Sequence, residues 1–92
     1  MIDKHSSEPY QTTDTSLAVY LYTEGFRIID IDYSQDRAII LFKNDNAKIR
    51  DYERLYYISK APVDASTYSR THKRLSKIIR LKLTWTEGII NG

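Results

Sequence analysis

Arg70, Lys73, Arg74, Lys77 and Arg80 recur at intervals of three and four residues, the spacing that places side chains on one face of a helix. A row of this kind can follow a phosphate backbone or an acidic protein surface. Residues 65–86 hold six Lys or Arg and no Asp or Glu. Of the fourteen basic residues, eight remain to face all twelve acidic ones, so the rest of the chain is net −4. A helix face that serves only solubility usually mixes both signs, whereas this one carries a single sign. The competing reading is a plain solvated face, the usual meaning of a charge run on a helix. No helix-turn-helix pattern accompanies the row, so backbone contact is the expectation rather than base reading. These five cations are the candidate nucleic-acid-binding residues.

Other chemistries find less support. Asp30 and Asp32 sit two apart, near Asp36, and carboxylates at i and i+2 of a strand can share a divalent cation. No calcium-loop glycine follows, and charge that protects a hairpin edge explains them better. His5 and His72 are the two histidines. His72 falls on the apolar side of the basic segment, without a nucleophile or orienting acid at a telling spacing. Phosphate-loop, dinucleotide and zinc-peptidase signatures are absent, and there is no cysteine for a disulfide or thiolate site. The expectation is a protein that is not an enzyme, with no catalytic residue, no metal and no cofactor.

Eight tyrosines are many for 92 residues. Tyr20, Tyr52, Tyr56 and Tyr68 fit a core whose hydroxyls reach outward. Tyr22 and Tyr57 suit a contact patch, because tyrosine is favoured where proteins meet. Together with Ile39 and Leu41 they are the candidate protein-interface residues.

These side chains need elements to hold them. From Asp64 to Trp85 the spacing predicts one amphipathic helix, capped by Asp64 after Pro62. Its inner face carries Tyr68, His72, Leu75, Ile78, Ile79 and Leu83, opposite the cations. Residues 13–25 predict a shorter helix, capped by Thr13 or Asp14 and closed by Gly25, with Leu17, Ala18 and Leu21 buried. Phe26–Tyr33 and Arg37–Lys43 read as a hairpin around Ser34-Gln35-Asp36. In its first strand Ile29, Ile31 and Tyr33 share one face. In its second Ala38, Ile40 and Phe42 share a face, and Ile39 and Leu41 lie on the other, where a third strand or a second chain can add. Asn44-Asp45-Asn46 caps a helix over Ala47–Ser59, and Lys60–Val63 breaks it. Residues 1–12 are expected to be a flexible arm that Tyr10 pins at its end, and 87–92 a tail in which Ile89-Ile90 docks as a strand or frays. The result is a small single α+β domain over residues 13–86, of order α-β-β-α-α, with an antiparallel hairpin packed against helices.

Length allows one modest core, and 41% apolar with 28% charged residues is ordinary for a globular chain. The amino-terminal residues carry no apolar run of signal-peptide type, and no run approaches a membrane span. The cytoplasm is the expected location and a membrane is not an expected partner.

The succession Tyr10, Thr12, Asp14, Leu17, Ala18, Tyr20, Leu21, Gly25–Ile31 continues through Ala38–Lys43, Asp51-Tyr52, Val63-Asp64, Tyr68, Lys73–Leu75 and Ile78-Ile79. This pattern is similar to an uncharacterised domain-of-unknown-function family found in phages, mobile elements and their bacterial hosts. It covers about residues 10–80, and its motifs are mostly caps, core positions and a turn glycine. The family brings no activity, cofactor or catalytic residue. What the resemblance implies is context, since small phage-type proteins are commonly binders, regulators or inhibitors of host machinery. The leading expectation is a small binding protein that engages nucleic acid or a nucleoprotein complex through its basic C-terminal helix. The alternative is a protein-binding inhibitor or adaptor that acts on a host complex, such as a phage-encoded anti-defence or anti-CRISPR protein. A homodimer paired through Ile39 and Leu41 or the hairpin edge is the third reading.

Overall fold

Asp14 fixes where the first helix begins. Its backbone is extended (φ −87°, ψ 102°), and its Oδ1 accepts the Leu17 amide at 3.1 Å, satisfying one free donor of the first turn. The structure is a computed structural model that describes residues 9–43, 48–59 and 65–86. Its elements are β1 (Tyr10–Thr12), α1 (Thr15–Thr23), β2 (Ile28–Asp32), β3 (Ile39–Phe42), α2 (Lys48–Ser59) and α3 (Ala65–Arg80). The fold is α+β, and the expected order stands with one strand added in front. The Asn44–Asn46 cap, Ala47, the Lys60–Val63 break, the Asp64 cap, residues 1–8 with His5, and the tail from Glu87 lie outside the described residues.

Gly25 closes α1 as expected. At φ +106° it turns the chain, its amide donates to the Tyr22 carbonyl at 3.1 Å, and the Phe26 amide donates to Leu21 at 3.1 Å. Leu17 to Leu21 are all buried, so α1 is covered nearly all round rather than along one stripe. The reason is its position: α2, α3 and β1 all pack against it. The Tyr68 hydroxyl reaches the Ser16 carbonyl near one end of α1 (3.4 Å), and Trp85 meets Tyr22 near the other. So α3 runs alongside α1 in the same direction. Tyr57 touches Asp14, while Tyr52 stacks near Tyr20 and Phe26, so α2 runs the opposite way.

Two expectations about the sheet are corrected. Tyr10 is pinned as expected, but residues 10–12 are part of the sheet rather than of an arm: Tyr10–Thr12 pairs antiparallel with β3, giving the strand order β1-β3-β2. Tyr10 is buried and sets its ring edge against Phe42, which holds this short strand in place. In β2, Ile28 pairs with Phe42 and Asp30 with Leu41, so Ile29 is an extra residue at a β-bulge. The bulge puts Ile28 and Ile31 in the core and leaves Ile29 46% exposed, so Ile29 does not share the face of Ile31.

The third correction concerns α3, which ends at Arg80 rather than Trp85. Lys82 adopts φ +55°, its amide donates to Ile79, and the Leu83 amide donates back to Ile78, each at 3.0 Å. This is the same paired closure that Gly25 makes, here without a glycine. Tyr33 secures it from the sheet: its hydroxyl donates to the Leu83 carbonyl at 2.7 Å and lies 3.2 Å from that of Ile78.

Candidate nucleic-acid interface

The inner side of α3 anchors the outer one. Leu75 and Ile78 are buried in the core, and Tyr68, Ile79 and Leu83 pack against it half-buried. On the other side Arg70, Lys73, Arg74, Lys77 and Arg80 are all exposed. At 1.5 Å rise per residue the row from Arg70 to Arg80 is about 15 Å long. Arg74 also holds a partner within the chain. Lys77 and Arg80 lie in the last turn, where the helix dipole favours positive charge. Arg70 and Lys73 have no such local reason. The pairs 70/74 and 73/77 set like charges one turn apart, at a cost of roughly 0.2–0.5 kcal/mol each. Burial of Leu75 and Ile78 offsets that repulsion many times over.

The remaining candidates serve the fold in visible ways. The His72 Nδ1 lies 3.3 Å from the Ser76 hydroxyl, and its ring sits 5.9 Å from that of Tyr68. Asp30 Oδ1 accepts the Ile31 amide and Asp32 Oδ1 the Ser34 amide, both at 2.8 Å. The bonds from Ser34 hold the Asp32 carboxyl below its usual range. Among the described residues no three His, Cys, Asp or Glu side chains gather as metal ligands.

The four protein-interface candidates occupy three separate places. Tyr22 is 38% exposed near the C-terminal end of α1, with its ring 5.4 Å from Trp85 in an edge-on contact. Tyr57 is exposed at the other end of α1, where its hydroxyl donates to Asp14 Oδ2 at 2.7 Å. That bond to a carboxylate, with partial burial, pushes the Tyr57 pKa up to about 12. Ile39 and Leu41 are half-buried on the sheet face away from the core, opposite Asp32 in one case and between Gln11 and Asp30 in the other.

One constellation escaped the sequence reading. Arg27, Lys43 and Lys48 line a groove of about 360 Å³, walled by Phe26, Tyr52 and Glu24. A second groove of about 740 Å³ adjoins it, shares Phe26 and Arg27, and reaches Tyr22 and Trp85. The three cations come from separate segments, and only the strand register brings the first two together.

Residues 7–80 match the family described as Domain of unknown function (DUF5659). No curated protein and no solved structure matches the chain. No helix among the described residues is long and apolar enough to cross a membrane.

Proposed function

The chain belongs to the DUF5659 family, and from that premise we propose that it is a small non-enzymatic binding protein that engages nucleic acid or a nucleoprotein complex through the outer face of α3. One observation carries this reading: Arg70, Lys73, Arg74, Lys77 and Arg80 are exposed together on a helix anchored by Leu75 and Ile78. A polyanion along that face releases condensed counterions, so affinity falls as salt rises. Phosphate contacts position a partner without reading its bases, so binding tolerates changes of sequence. No cofactor takes part. A phage or mobile-element setting and a cytoplasmic location belong to the same reading; they rest on the resemblance and on the lack of cysteine.

A second reading has its own observation. The outer sheet face exposes Ile29 and presents half-buried Ile39 and Leu41 beside Asp30 and Asp32. An inhibitor or adaptor acting on a host complex, or a homodimer, would use that face. Capture from a host lysate with and without nuclease separates the readings. Capture that nuclease abolishes, and that Arg70→Glu with Lys77→Glu also abolishes, supports the α3 reading. A nuclease-resistant host protein lost on Leu41→Asp favours the second, and light scattering at twice the chain mass favours the dimer.

A further inference from the structure

The hairpin sets two cations face to face. Ile28 pairs with Phe42, so Arg27 stands opposite Lys43, and the Lys43 amide donates to the Arg27 carbonyl at 2.9 Å. Like charges directly opposite on a ladder are destabilising, and Lys48 adds a third on the same groove. Among the described residues Glu24 is the one carboxylate on that wall. Lys43 and Lys48 have partners within the chain; what matters here is the sign and placement of the three charges. All three side chains are exposed, within reach of a ligand that enters the groove.

The groove also lies at a telling end of the molecule. Because α3 runs in the same direction as α1, its Arg80 end and the C-terminal end of α1 fall on one side. From there Trp85 and Tyr22 border the adjoining groove, which leads to Phe26 and Arg27. Cations interleaved with aromatic rings in a concave surface suit a single strand, whose backbone bends and whose bases are free to stack. A duplex is too stiff and too broad to follow a groove of this size.

Resting on the α3 reading, we propose that the Arg27–Lys43–Lys48 groove is a second contact for the same polyanion and selects single-stranded nucleic acid. Backbone phosphates sit on the three cations, and a base lies against Tyr22 or Phe26. Glu24 opposes the charge and tempers the affinity.

The test is fluorescence anisotropy of the full chain with a labelled single-stranded DNA and with a duplex of the same length, over a range of salt. Variants are Arg27→Gln, Lys43→Gln, Lys48→Gln, Glu24→Gln, and Arg70→Gln with Lys77→Gln. Each groove cation removed is expected to weaken single-strand binding and reduce the magnitude of the log–log salt slope by about 0.7, leaving duplex binding nearly unchanged. Glu24→Gln is expected to strengthen single-strand binding. If the α3 pair weakens binding while the groove variants leave affinity and slope unchanged, the groove is not a contact, though the α3 reading stands. Equal loss on single strand and duplex overturns the assignment to single strands. If the wild-type chain binds neither, the α3 reading fails and the groove proposal falls with it. Thermal melts that match wild type confirm that each variant is folded.

Discussion

The Tyr57 hydroxyl donates a 2.7 Å hydrogen bond to one oxygen of Asp14, whose other oxygen caps α1. A side chain on α2 thus fixes the residue that starts the central helix. Both groups are near solvent, so the bond is worth about 1 kcal/mol or less. Tyr57→Phe is expected to lower the unfolding free energy from urea melts by that amount near neutral pH. The pKa of Tyr57 is raised from 10.0 to about 12 in the folded chain, so the folded state favours the protonated phenol. Its contribution is therefore complete below pH 10 and disappears as pH climbs through about 12. Urea melts of the wild type and Tyr57→Phe should converge over that window; an unchanged gap would contradict the assignment.

Gly25 and Lys82 close their helices with the same pair of hydrogen bonds, yet only one is glycine. Positive φ costs a non-glycine residue about 1–2 kcal/mol. Lys82→Gly should therefore stabilise the chain by up to about 1 kcal/mol, after the extra freedom of the unfolded glycine is counted. Gly25→Ala should destabilise it by about 1 kcal/mol on the same count, although a Cβ there meets nothing within 4 Å. Thermal melts of the two variants should shift in opposite directions.

The contrast between those two residues explains what could be read from the sequence. Asp14 and Gly25 were legible because capping is local chemistry that residue type reports. Lys82 was not, because lysine does not announce a left-handed turn, and Leu83 continued the apolar side of the wheel past the true end. β1 is three residues whose pairing depends on β3 being in place, so no local periodicity marks it. The bulge at Ile29 defeated strict alternation, since one inserted residue moves Ile28 into the core and Ile29 out. The cationic row of α3 was visible from spacing alone. The Arg27–Lys43 juxtaposition required the ladder register, which the sequence does not specify.

The two sides of α3 should respond differently to substitution. Leu75→Ala or Ile78→Ala removes a buried side chain and is expected to cost about 2–5 kcal/mol. Lys73→Gln and Lys77→Gln should leave stability within about 0.5 kcal/mol, because they remove like-charge repulsion at an exposed face. Denaturant melts give both numbers. A large loss from the lysine variants would mean that the cations serve the fold.

Trp85 is the sole tryptophan and is 9% exposed, with the Tyr22 ring edge-on beside it. Tyr22→Ala opens that side to water, so the emission of Trp85 should shift to longer wavelength while the melt changes little. An unshifted spectrum would show that other groups shield the indole.

The most direct test of the central claim is the salt dependence of nucleic-acid binding, measured by titrating a labelled oligonucleotide at several salt concentrations. Five α3 cations contacting phosphates predict a log–log slope of about −4.5 on duplex DNA, and with the three groove cations added about −5.6 on a single strand, reduced for each α3 cation replaced by glutamine. Binding that does not change with salt, or no binding to DNA or RNA at low salt, would contradict the account.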